Sequence, residues 1–302
     1  MEHEPSASRE VPAPRRRHRE PRPAREGRAS RAHLSATLAI FSAQSVSGER
    51  GVAVVTGASS GIGEAVARAL TVRGWRCVLV ARREQRLRRL AEQLGGEYEV
   101  CDVGDREAVE RMAAAVRERH PVISLLVNNA GMPARGSFET VDAERIEQVT
   151  RVNYLGGVWC TRGLLPALEA GRPSHLVNVV SVAGTVASGR AGPYTAAKHA
   201  QLAFSRSLAA QLHSRGISVH TVNPGFVETE GFPQRGRLRS RLLERLVLDP
   251  PVVADAVVRA IERDRREIFV PRWYRGAAIV QALVPGLVAR FAGATGYRES
   301  ET

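Results

Sequence analysis

From Gly51 onward the chain alternates short apolar runs with segments that have the period of a helix, and this alternation limits the fold more than any other feature. The runs are VAVV (52–55), CVLV (77–80), YEV (98–100), ISLLV (123–127), HLVNVV (175–180), ISVHTV (217–222) and EIFV (267–270). Between them lie amphipathic stretches of helical length such as Ile62–Arg73, Glu84–Leu94 and Arg106–Arg119. Successive side chains of a strand point to opposite faces, so a run that stays apolar throughout is buried on both. Helices between such runs predict βαβ units. The expectation is α/β: a single doubly wound domain over residues 50–271 with a seven-stranded parallel sheet and ligands at the carboxyl ends of its strands.

The first run leads into Thr56-Gly57-Ala58-Ser59-Ser60-Gly61-Ile62-Gly63, and an amphipathic helix follows at once. Glycines let a backbone turn tightly and approach a pyrophosphate, while the helix start offers free N–H groups and a partial positive charge. Gly57, Ser59, Ser60, Gly61, Ile62 and Gly63 are therefore candidate cofactor contacts. After the second run, the place where a carboxylate would hold a ribose 2′-hydroxyl is filled by Ala81, then Arg82 and Arg83. Two guanidiniums suit a 2′-phosphate, which favours NADP(H) over NAD(H), with Arg82 the better placed of the two. After the fourth run, Asn128 and Asn129 are suited to tying strands together, and small Ala130 and Gly131 let a ribose approach the backbone.

Tyr194 and Lys198 lie four apart in a helical stretch from Ala191 to His213 and so share one face. A phenol with a pKa of about 10 is a weak acid–base group at neutral pH, and an adjacent ammonium favours its phenolate. Ser181 directly follows the fifth run, where its hydroxyl could bind the same substrate oxygen. Lys198 is the single lysine among 44 lysine and arginine residues. In a chain that uses arginine at every other cationic position, a compact, titratable ammonium was kept here alone.

The spacing T-G-x3-G-x-G, the N-N-A-G segment, the set Asn153, Ser181, Tyr194 and Lys198, and Asn223-Pro224-Gly225 together resemble the short-chain dehydrogenase/reductase family, over roughly residues 50–270. The resemblance implies a Rossmann-type fold and hydride transfer between NADP(H) and a carbonyl or secondary alcohol. Tyr194 would be the proton donor and acceptor, Lys198 its activator and a ligand of the nicotinamide ribose, and Ser181 would orient the substrate. By the same resemblance Asn153 holds a water in a relay through Lys198, Asp102 sits by the adenine edge, and Val103 packs on that ring. Pro224, Gly225, Val227 and Thr229 would close over the nicotinamide. A homodimer or homotetramer is expected. The competing reading within the same fold is a catalytically silent NADP(H)-sensing or scaffolding protein, against which the intact Ser181, Tyr194 and Lys198 count.

The flanks say less. Residues 1–49 are rich in Arg and Pro without apolar periodicity, which predicts a disordered extension, read as dispensable in preference to a basic tail that touches membrane or polyanion. The net charge of +13 invites a nucleic-acid reading, but the arginines are spread along helix faces and not gathered with aromatics, so no nucleic-acid partner is expected. Cys77, Cys101 and Cys160 have no metal-ligand spacing, so no metal is expected, and their odd number fits a reduced, cytoplasmic setting. No run reaches the roughly 18 apolar residues of a membrane span. Residues 229–250, with Phe232, Pro233, Leu242 and Leu243, are expected to be a substrate lid. The apolar C-terminal extension (272–302), interrupted by Gln281, Pro285 and Arg290, could cover the substrate pocket, meet another subunit or make weak peripheral membrane contact. Apolar lid and tail favour a lipophilic small-molecule substrate.

Overall fold

The computed structural model describes residues 50–187, 191–235, 244–286 and 288; the expectations for 1–49, for Leu242 and Leu243, and for most of the segment beyond 286 lie outside them. Seven strands, β1 (Val52–Thr56), β2 (Arg76–Ala81), β3 (Glu97–Val100), β4 (Leu125–Asn128), β5 (Ser174–Val179), β6 (Ile217–Pro224) and β7 (Glu267–Val270), form one sheet in the order β3-β2-β1-β4-β5-β6-β7. Every pairing is parallel. The chain reverses its direction of winding between β1 and β4, and that switch point opens a crevice at the carboxyl edge of the sheet.

The unbroken apolar runs are explained by two cores. In β2, Cys77 and Leu79 face one of them while Val78 and Val80 face the other; Val55 and Val54 of β1 divide in the same way. The first core is closed by α1 (Gly61–Thr71), α2 (Glu84–Leu94) and α7 (Pro250–Glu262), through Leu70, Leu87 and Val257. The second is closed by α3 (Arg106–Arg119), α5 (Gly156–Ala170) and α6 (Gly192–Leu212), through Val116, Leu164 and Leu212. Each such fully buried side chain contributes about 1.5–3 kcal/mol by leaving water.

Local signals place the helices that matter for the site. Asp105 caps α3, its carboxylate accepting from the N–H groups of Glu107 and Ala108 at 2.9 and 3.2 Å. Pro193 in the first turn of α6 presets its backbone angle. A helix that begins as α4 (Ala143–Thr150) passes through one π turn (Arg151–Leu155) before continuing as α5. Such turns often sit beside functional sites, and this one carries Asn153. A last helix, α8 (Tyr274–Leu283), follows β7. No helix among the described residues is long and apolar enough to cross a membrane.

Candidate active site

A cleft of about 1410 Å³ runs along the carboxyl edge of the sheet. Because each loop leaves the end of its own strand, the strand order sets the order of residues along the cleft. Asp102 and Val103 follow β3, Arg82 and Arg83 follow β2, and the glycine turn follows β1. Asn129, Ala130 and Gly131 follow β4, Ser181 follows β5, and Pro224 and Gly225 end β6. All of these line the cleft, as do Val227, Thr229, Tyr194 and Lys198. Gly63 and Asn153 do not.

The turn after β1 is built to bring backbone close to backbone. Gly57 and Gly61 have φ of +68° and +59°, and a Cβ on Gly57 would lie 2.8 Å from the Ala130 Cα. Thr56 holds the turn to the next loop. Its Oγ1 accepts from the N–H groups of Asn129 and Ala130 at 3.0 and 3.1 Å, and its carbonyl accepts from Asn129 Nδ2 at 3.0 Å. Asn128 ties strands together, donating to Asn178 Oδ1 and Thr161 Oγ1 at 3.0 and 2.9 Å. Ser60, at the start of α1, makes no side-chain cap, so the first N–H groups of that helix are left for a ligand in the cleft. Left-handed glycines, close backbone approach and an uncapped helix start fit the pyrophosphate of a dinucleotide.

Arg83 reaches back over this turn. Its Nε and Nη2 donate to Ser59 Oγ at 3.1 and 3.0 Å, Nη2 also donates to Ser60 Oγ, and Nη1 donates to Glu230 at 3.0 Å. Arg86, one turn along α2, shares the same carboxylate, and its guanidinium holds Glu230 below the usual carboxylate range. Arg82 points elsewhere: it is exposed, with Nη1 3.6 Å from Asp102. Asp102 in turn accepts from Gly104 N at 2.9 Å.

At the far end, Lys198 is 3% exposed, with Nζ 5.9 Å from the centre of the Tyr194 ring. Burial lowers its pKa from 10.5 to about 7. Nζ donates to Gln201 Oε1 at 2.8 Å and to the Val179 carbonyl at 3.3 Å. Phe232 packs on Tyr194 at 5.5 Å between ring centres. Ser181 Oγ accepts from Ala183 N at 3.1 Å and lies 3.5 Å from the Pro224 carbonyl. Asn153 is buried and its amide is committed in both directions to Met132, accepting from its N–H at 2.8 Å and donating to its carbonyl at 2.9 Å. Gly225 makes room for the ring of Tyr274: a Cβ there would lie 2.1 Å from it.

The model of the short chain dehydrogenase family matches residues 51–237. The chain belongs to the short-chain dehydrogenase family. A putative ketoacyl reductase of Streptomyces coelicolor is 39% identical over 186 residues, which cover 59% of this chain and 71% of that one. Among solved structures, an actinorhodin polyketide ketoreductase with NADPH is 33% identical with a TM-score of 0.63, over 69% of this chain and 88% of that one. A short-chain dehydrogenase/reductase from Burkholderia phymatum in complex with NAD has 28% identity and a TM-score of 0.69, over 78% and 94%.

As a member of the short-chain dehydrogenase family the protein is an oxidoreductase with a Rossmann-type sheet, as the apolar runs predict. Four residues of this family member's site escaped the sequence reading: Glu230 and Tyr274, which line the cleft, and Arg86 and Gln201, which bond to Glu230 and Lys198. Gln201 was within reach, since it lies three positions beyond Lys198 on one helix face. Glu230 and Arg83 are 147 positions apart, and no local pattern joins them. Tyr274 belongs to the apolar segment expected near the pocket. It is buried against Gly225, whereas Trp273, Ile279 and Leu283 beside it are exposed. Among the described residues no group of three or more His, Cys, Asp or Glu side chains could hold a metal ion.

Proposed function

We propose that this protein transfers hydride between NADP(H) and a carbonyl or secondary alcohol. The observation that carries the proposal is the buried ammonium of Lys198 beside the Tyr194 ring, in the same cleft as Ser181 and the arginine-bearing glycine turn. When bound there, the nicotinamide supplies a hydride in reduction and accepts one in oxidation.

The chain's own groups manage the proton and the position. Tyr194 gives its phenolic proton to the substrate oxygen as that oxygen gains charge, and in the reverse direction the phenolate takes the alcohol proton. The ammonium of Lys198 favours the phenolate and stabilises it. Ser181 donates to the same oxygen and fixes it. The Asn153 amide, engaged by Met132, acts by holding the backbone after Gly131 beside Lys198. A water-holding role for Asn153 would therefore fall to its main chain. Gly57, Ser59, Ser60, Gly61 and Ile62 cradle the pyrophosphate; Gly63 packs the helix start against the turn. Asp102 and Val103 border the adenine, and Asn129, Ala130 and Gly131 border the ribose. Pro224, Gly225, Val227 and Thr229 flank the nicotinamide.

Arg83 is the better seat for a 2′-phosphate. Its guanidinium is already anchored on Ser59 and Ser60 and holds a carboxylate, whereas Arg82 projects to solvent near Asp102. The NADPH-bound ketoreductase neighbour agrees with this preference, and the NAD-bound neighbour is the contrary case. Phe232, Phe226, Met132 and Tyr274 make the substrate end apolar, which supports a lipophilic ketone or alcohol. The test is NADPH consumption over a panel of ketones and aldehydes. Turnover with at least one apolar carbonyl is expected. NADPH binding with no turnover across the panel would favour the silent sensor.

A further inference from the structure

Lys198 has a second partner besides its tyrosine. Gln201 is 2% exposed and turns its amide oxygen onto Nζ at 2.8 Å. An ammonium has three N–H donors and cannot accept. Two are spent inside the protein, on Gln201 and on the Val179 carbonyl, which leaves one for the cleft. The groups nearest Nζ are Tyr194 and Gln201 from α6, Val179 from β5 and Gly131 from the loop after β4. Tyr194 alone among these titrates, and no carboxylate is among them. The same helix face buries Ala197, Ser205, Leu208 and Leu212, and a buried polar group is costly unless it is bonded: Ser205 meets Asn178 and Thr221, whereas the Gln201 amide oxygen meets Nζ.

We propose that Gln201 is a positioning residue for the reaction: its amide oxygen fixes the Lys198 ammonium beside Tyr194 and keeps it charged where proton transfer takes place. The choice of an amide follows from what the alternatives would do. An apolar side chain would let the buried lysine lose its proton. A carboxylate would hold the charge but cancel its field at the phenol. The amide favours the ammonium without neutralising it. This inference rests on the Tyr194–Lys198 reading of the site.

Because Lys198 is the single lysine of the chain, full-length protein grown with lysine ¹³C-labelled at Cε gives one signal from that side chain. Its titration by NMR reports the group directly, without any turnover. In cofactor-free protein, Gln201→Leu should lower the midpoint by about one pH unit and Gln201→Glu should raise it by about as much. The pH–rate profile for carbonyl reduction should move in the same two directions. Coincident midpoints in wild type and variants overturn the proposal. So do shifted midpoints that the pH–rate profile does not follow, which would make Gln201 merely structural. If Gln201→Leu does not fold, an unmoved midpoint in Gln201→Glu is sufficient to reject it. Failure of the underlying reaction has a different signature: wild-type protein turns over no carbonyl while the lysine midpoints still separate.

Discussion

Strands β5 and β6 border buried bases in two places. Near the amino end of β5, His175 Nδ1 lies 3.0 Å from Nε2 of His220 in β6, and His220 Nδ1 lies 2.9 Å from the Arg265 carbonyl. At the carboxyl end of β5, the Val179 carbonyl accepts from Lys198. Burial acts in both places, lowering His175 from 6.5 to about 4 and Lys198 from 10.5 to about 7. Access is what differs. The histidine rings face each other across the sheet, away from the cleft that Lys198 lines. A displaced pKa is therefore a sign of chemistry only where a cavity brings a substrate to it.

The comparison can be broken most sharply at Tyr194. Tyr194→Phe should lower kcat by about 10²–10⁴-fold while NADPH affinity holds, as measured by turnover and by titration of NADPH fluorescence. Retained turnover would move the proton donor elsewhere and leave Lys198 as structural as the histidines. Next in size is stability against pH. His175 binds its proton less readily folded than unfolded, so its contribution is complete above about pH 6.5 and is lost as pH falls from 6.5 toward 4. The span corresponds to about 3 kcal/mol. Lys198 has the same sign in a separate window, with stability gained as pH rises from about 7 to 10.5. Urea melts across both windows check this, and a flat profile between pH 4 and 6.5 would contradict it. Smallest is the cofactor effect. Arg83→Ala should weaken NADPH by about 10–100-fold and NADH little, by binding titration with each. Equal losses would remove the 2′-phosphate role.

The sheet was legible because β1, β2, β4 and β7 are mostly apolar, while β5 and β6 keep Val, Leu and Ile on both faces between buried polar residues such as His175, Asn178, His220 and Thr221. Boundaries were less so. The fourth run suggested a start at Ile123, but its N–H goes to the Ala167 carbonyl of α5, and pairing with β1 begins only at Leu125. Tyr194, Lys198 and the glycine turn could be read from spacing because each is a local device of one helix or one turn. Asn153 was found by resemblance, and its partner, Met132, lies 21 positions away across a π turn that no spacing reveals. The grip of Arg83 on Ser59, 24 positions back, was equally hidden, which is why Arg82 looked the better placed.

The carboxylate of Glu230, lodged between Arg83 and Arg86, gives cofactor selection a particular character. Two guanidiniums pointed at one spot repel each other, and Glu230 acts as their resident counter-ion, keeping them aligned. If NADP(H) is the cofactor, its 2′-phosphate enters by ion exchange: one anion leaves as another of higher charge arrives. Discrimination against NAD(H) is then set by the difference between a phosphate and a tethered carboxylate at the same seat, not by the full strength of either.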